Sequence, residues 1–295
     1  MRGMEVKDAK YPTNEERAIV TGSLERSSMR ILARRFGKDK KTVMAVIHRV
    51  TKRLPDSMAV ARSLKPRWSG ILVFDGKYVR VYDRWSAVMT PSVRVPSATH
   101  PGEGTGDTAR PMPRHWVVWL CGIDHATGDL PHYQIAEEET KIDLVLYFQR
   151  LREIGYPMKA LVSDGNPDIV AAARKVFGDV FVHQRCTKHF IDGLTRLMRQ
   201  EERPERCADT LKLIRLLQCI IRAPDIEAAG RRLAVLPHLP PKTPVQKRIM
   251  EMFHEHKEAL TAHLLFPDLQ IPSTSNEIEN LFRQANLRLR NLGQF

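Results

Sequence analysis

Two short apolar runs in this chain each end on an aspartate followed by a glycine. Ile71-Leu72-Val73-Phe74 precedes Asp75-Gly76, and Ala160-Leu161-Val162-Ser163 precedes Asp164-Gly165. Such runs, bounded by turn residues, read as buried strands. A carboxylate at the end of a buried strand is costly unless it is paired or holds a cation. Adjacent strand ends bring such groups together, so the two sites support one another. The plainer alternative at each is a turn or cap role, since Asp-Gly is a common turn pair and Asn166 or Asp168 can equally cap the helix after Asp164. A third acid, Glu279, lies far downstream on a predicted arginine-rich helix. Two strand-end carboxylates and one helical carboxylate form the kind of oxygen donor set that holds divalent metals.

The elements around these residues point to an α/β fold. Residues 14 to 54 read as helix, glycine turn at Gly37, helix, with Asn14 as the first N-cap. Lys38, Lys40, Lys41, Arg49 and Lys52 lie on or near the second helix. This pattern fits a helix-turn-helix over 1–54 whose second helix enters a major groove; a plain helical hairpin is the alternative. Residues 55–69, punctuated by prolines, read as a linker. Strands follow at 71–74, continuing at 78–82 after Gly76, then at 115–124 and 132–136, with a Pro/Gly/Ser-rich loop at 90–114. A helix at 140–154, a strand at 159–162, a helix through Ile169 and Val176, and a short strand at 180–182 complete a core over 70–185. From Cys186 to about Leu265 the pattern is helical, and a last helix occupies 271–295. This is the order of an RNase H-like mixed sheet with a helical insertion at 186–270.

Within the last segment, Thr274 and Glu277 have the spacing of a capping box. That leaves Glu279 without a structural task. Glu279, Arg283 and Asn286 share a helical face, with Arg290 one turn on. An exposed Glu–Arg pair worth on the order of a few tenths of a kcal/mol is the plain reading; a metal ligand beside phosphate-contacting arginines is the sharper one.

Charge narrows the partner. The 295 residues carry 47 Lys+Arg against 34 Asp+Glu, a formal net charge of +13, which favours a polyanion such as nucleic acid. No run is apolar and long enough to span a bilayer, and the N-terminus lacks a signal-peptide core, so a cytoplasmic location is expected. The four cysteines are too sparse and irregular for a disulfide framework. Cys186-x-x-His189 has the spacing of half a zinc site, with His183 or His125 as possible partners; a packing or DNA-positioning role is the alternative.

The strings FDGKYV, LVSDG, HQRCTKH and STSNEIENLFR resemble the DDE transposases of insertion sequences, in the broad mutator-like group. The resemblance covers roughly residues 70 to 295. It implies metal-dependent DNA cleavage and strand transfer, with Asp75, Asp164 and Glu279 as catalytic residues and ligands of Mg²⁺ (or Mn²⁺). Cys186 and His189 match the family's Cys-x-x-His element. Ser275 is a mild departure from the small polar or asparagine neighbour usual in the glutamate motif. The resemblance further implies double-stranded DNA as partner, both transposon ends and target, a homodimeric synaptic complex and a nucleoid-associated location. It also leads one to expect more helix after Glu279 than the residues to Phe295 supply. A transposase-derived DNA-binding protein without catalysis is therefore the alternative function.

Overall fold

The computed structural model describes residues 12–25, 27–55, 57–64, 67–82 and 114–291. Apart from Arg114, the loop read at 90–114 lies outside the described residues. Three helices come first, α1 (Asn14–Leu24), α2 (Met29–Arg35) and α3 (Lys40–Thr51). They close on a small core of Ile19, Leu32, Val43, Val46 and Val50. The single helix expected before Gly37 is thus two, because Ser28 starts a new one by accepting from the Ile31 amide. Thr13, not Asn14, caps α1, in a reciprocal capping box with Glu16. Gly37 makes the expected turn, with φ of 61°. Lys40, Lys41 and Lys52 are exposed. Lys38 is paired with Glu15 at 2.6 Å and Arg49 with Glu16.

The segment read as a linker contains α4 (Ser57–Leu64). Pro55 and Pro66 flank this helix rather than exclude it, and Ala61 on it is buried.

Five strands form one mixed sheet: β1 (Ile71–Tyr82), β2 (Arg114–Asp124), β3 (His132–Ala136), β4 (Ala160–Ser163) and β5 (Val182–Arg185). Their order is β3-β2-β1-β4-β5. β2 and β3 are antiparallel, joined through the Thr127-Gly128 turn. β4 runs parallel to both β1 and β5. Parallel neighbours require crossovers, and α6 (Pro167–Phe177) links β4 to β5. Helix α5 (Lys141–Glu153) packs on α6. Leu72, Phe74, Leu120, Leu144, Tyr147, Phe148, Leu161 and Ile169 join sheet and helices in one core. This is the RNase H-like α/β arrangement expected. One strand differs: β1 does not stop at Asp75 but runs on through Asp75-Gly76.

After β5 come α7 (Thr187–Glu201), α8 (Cys207–Ile221), α9 (Ile226–Leu233), α10 (Pro244–Leu260) and α11 (Ala262–Leu265). They have their own core, including Phe190, Leu194, Leu217, Ile249 and Phe253. The buried Gln184 fastens this block to β5. Its Nε2 donates to the Leu260 carbonyl at 3.2 Å, and its Oε1 accepts from the His263 amide at 2.9 Å. The last helix is α12 (Asn276–Asn291). By contacts the chain forms two compact units, one of 56–77 with 118–281 and one of 1–55, 78–117 and 282–295. No described helix is long and apolar enough to cross a membrane.

At the entry to β1, the buried Asp124 organises the turn. Its carboxylate accepts from Ser69 N and Gly70 N, both at 3.1 Å, from Thr127 Oγ1 at 2.9 Å and from Tyr156 OH at 2.8 Å. Removing it orphans several buried donors at once. Asp124→Ala is expected to cost about 2–4 kcal/mol in urea unfolding, and Asp124→Asn less, since the amide keeps one acceptor.

Candidate active site

Parallel register brings the two aspartates together. Val73 on β1 lies opposite Val162 on β4, so Asp75 and Asp164, each two residues further on, are neighbours at the same edge of the sheet. Asp75 Oδ1 accepts from the Gly76 amide at 2.9 Å. Asp164 Oδ1 accepts from the Asn166 amide at 2.9 Å, a turn formed by the side chain itself. Gly165 sustains that turn with φ of 101°. Asn166 caps α6, so the cap is its own task and Asp164 is left facing the cluster.

A third carboxylate joins them that the sequence reading did not single out. Glu139, just ahead of α5, accepts from Asn166 Nδ2 at 3.0 Å. Its Oε2 would be 2.5 Å from a Cβ on Gly76, so a side chain at that position would push the Glu139 carboxylate aside. Glu139 is the last of three consecutive glutamates, and nothing local distinguishes it from Glu137 or Glu138.

The electrostatics register the crowding. Burial, and then the charge of Asp164, push Asp75 up to about 6; His189 and the Gly76 amide oppose this. Glu139 is raised as well, by burial first and by Asp164 and Asp168, against the Asn166 hydrogen bond. A proton on such a half-buried acid relieves both the cost of burial and the repulsion from its neighbours.

Glu279 arrives by another route. Ser275, not Thr274, directly precedes α12, its carbonyl accepting from the Glu279 amide at 3.2 Å. Glu277 therefore falls one position early for the expected capping box, and its Oε1 pairs with His125 Nδ1 at 2.6 Å instead. Glu279 sits on the first turn with both carboxylate oxygens on Lys188 Nζ, at 3.0 and 2.8 Å. His189 Nε2 is 3.7 Å from Glu279 Oε1. Among the described residues no three His, Cys, Asp or Glu side chains are grouped to hold a metal ion. Asp75, Asp164 and Glu139 lie within electrostatic range of one another without forming such a group, and Glu279 faces the Lys188–His189 pair. Arg283 is exposed on α12; the Arg290 side chain lies outside the described residues.

The Cys-x-x-His pair works as a clasp. Cys186 is fully buried, and its amide donates to the Ser163 carbonyl at 2.7 Å, next to Asp164. Its sulfur accepts from both the amide and the hydroxyl of Ser275 at 3.3 Å. His189 Nδ1 lies 3.4 Å from the same hydroxyl. Burial favours the neutral thiol, but hydrogen bonds from His189 and Ser275 outweigh it and draw Cys186 down to about 7. His189 is pushed up to about 9, first by Cys186 and also by Asp75 and Glu279. The suggested zinc partners are engaged elsewhere: His183 with Ser163 and His125 with Glu277.

The chain matches the family described as "Transposase, Mutator family" over residues 128–295. No functionally curated protein matches it. Among solved structures it is similar to the Mos1 strand transfer complex, at 13% identity and a TM-score of 0.24, covering 90% of this chain and 81% of that one. It is also similar to the Mos1 transposase paired-end complex with left transposon end, at 14% identity and a TM-score of 0.25, covering 89% and 81%.

Two measurements test the site. Asp75 has a folded pKa of about 6 against an ordinary 3.8, so the folded state holds its proton more tightly than the unfolded chain does. Stability from this group therefore falls as pH rises through that window. Asp75→Asn is expected to stabilise the metal-free protein by about 1–3 kcal/mol at about pH 8, with the gain gone below about pH 4. Cys186→Ala orphans the Ser275 donors; hydrogen exchange of the first α12 amides should quicken, whereas Cys186→Ser largely preserves their protection.

Proposed function

The chain belongs to the Mutator family of transposases, and we propose that it cuts DNA at transposon ends and joins the freed ends to target DNA in a divalent-metal-dependent reaction. The observation that carries this reading is the register-enforced pairing of Asp75 and Asp164 beside Glu139. Asp75, Asp164 and Glu279 would hold Mg²⁺ or Mn²⁺, with Glu279 exchanging Lys188 for the metal. Bound metal would activate water or a DNA 3′-hydroxyl and stabilise the leaving 3′-oxygen.

The protein's own residues do the rest. Asn166 keeps Glu139 and Asp164 in place. Cys186 holds the start of α12, and with it Glu279, against the end of β4. His189, carrying a proton at neutral pH, supplies positive charge between the acids and an incoming phosphate. Lys40, Lys41 and Lys52, exposed on and after α3, are suited to DNA phosphates, with α3 as the helix that enters the major groove. Lys38 and Arg49 reach DNA by exchanging Glu15 and Glu16 for phosphate. Arg283 and Arg290 add contacts on α12, and two copies of the chain would bring two transposon ends together.

A second reading, a DNA-binding protein without catalysis, has one observation in its favour: both oxygens of Glu279 are held by Lys188. Nicking of supercoiled plasmid in Mg²⁺ or Mn²⁺ separates the two. Asp75→Asn, Asp164→Asn and Glu279→Gln should each lose about a thousandfold or more in rate while gel-shift affinity for DNA persists. Wild-type nicking by Asp164→Asn would overturn the proposal.

A further inference from the structure

Arg185 ends β5, immediately before Cys186. Its Nε is buried and has no hydrogen-bond partner. Two other described cations near the cluster are engaged: Lys188 by Glu279 and His189 by Cys186 and Glu279.

The guanidinium lies close to two neighbours. One is Gly165, where an added Cβ would come within 2.3 Å of Nε and 2.7 Å of Cζ. Only a residue without a side chain lets the arginine approach the backbone this closely, beside Asp164. The other is the Phe190 ring, its centre 5.2 Å from Cζ, a cation–π contact. Burial lowers the arginine's pKa, opposed by Asp164 and Glu255. A half-buried cation with an unused donor is costly to maintain. A guanidinium confined by such neighbours also presents the planar fork that recognises phosphate through paired hydrogen bonds.

We propose that Arg185 binds the phosphate of the DNA strand lying against Asp164, orienting the phosphodiester to be cut. This rests on the reading of Asp75 and Asp164 as the cleavage site. The competing role is structural, with Arg185 only offsetting the charge of Asp164.

The test uses the full chain, with Arg185→Gln and Arg185→Lys; the lysine variant keeps the charge and much of the volume, so that binding can be read in a folded protein. Affinity for a short duplex of arbitrary sequence is measured in Ca²⁺ across salt concentrations, and plasmid nicking is measured in Mg²⁺. Loss of one phosphate contact should lower the slope of log affinity against log salt by about one in Arg185→Gln. Its KM for plasmid should rise about tenfold. Arg185→Lys should recover the salt slope but not the nicking rate, because a point charge replaces the planar fork. Unchanged salt slope and KM in Arg185→Gln, with only a lower melting temperature, would overturn the proposal and assign the structural role. Absence of nicking by the wild type, or full nicking by Asp164→Asn, would instead refute the cleavage reading, while the salt slope still decides whether Arg185 touches phosphate.

Discussion

The parallel register of β1 on β4 is the constraint on which the site depends. Once Val73 faces Val162, two carboxylates must share one sheet edge, and their mutual repulsion has to be absorbed nearby. Asp75 shows the cost in its raised proton affinity, set first by burial and then by the charge of Asp164. The surrounding sequence is arranged to bear that cost. Gly76 makes room for Glu139, and the side-chain turn at Asp164 engages one of its oxygens.

Compensating charge comes from a single short segment. Arg185, Lys188 and His189 follow one another across the end of β5 and the first turn of α7, interleaved with Cys186. Arg185 lies by Asp164, His189 between Asp75 and Glu279, and Lys188 on Glu279. Cys186 adds a mechanical link. Its amide reaches β4 through the Ser163 carbonyl, and its sulfur reaches Ser275 at the start of α12, so two acids far apart in the chain are tied to one buried residue. An apolar side chain there would leave the Ser275 amide unsatisfied in an interior where that is expensive.

The helical block enters this scheme as a support. Gln184 bonds β5 to Leu260 and His263, and Phe190, a core residue of that block, is also the ring beside which Arg185 lies. The block therefore helps set where the cations after β5 lie relative to the sheet edge.

Much was readable in the sequence because it is written at short range. Alternation, apolar runs and turn residues mark β3 at 132–136 and α5 at 141–153 close to where they occur, and the apolar runs before Asp75 and Asp164 identify those acids as strand-borne. The readings that failed hinged on local choices with near-equal alternatives. Thr274 and Ser275 are both good caps, and the packing of Ser275 against Cys186 decided between them. Gly76 looks like a turn residue until Glu139 is placed over it. By itself the sequence determined the order of elements, the sign of the charge and the identity of the paired aspartates, since periodicity and composition act over a few residues. Only the tertiary structure decided that Glu139 joins them, that Glu277 serves His125 and that Arg185 lies against Gly165. Those contacts join residues remote in the chain, and nothing in local pattern specifies which of several equivalent side chains the fold will bring together.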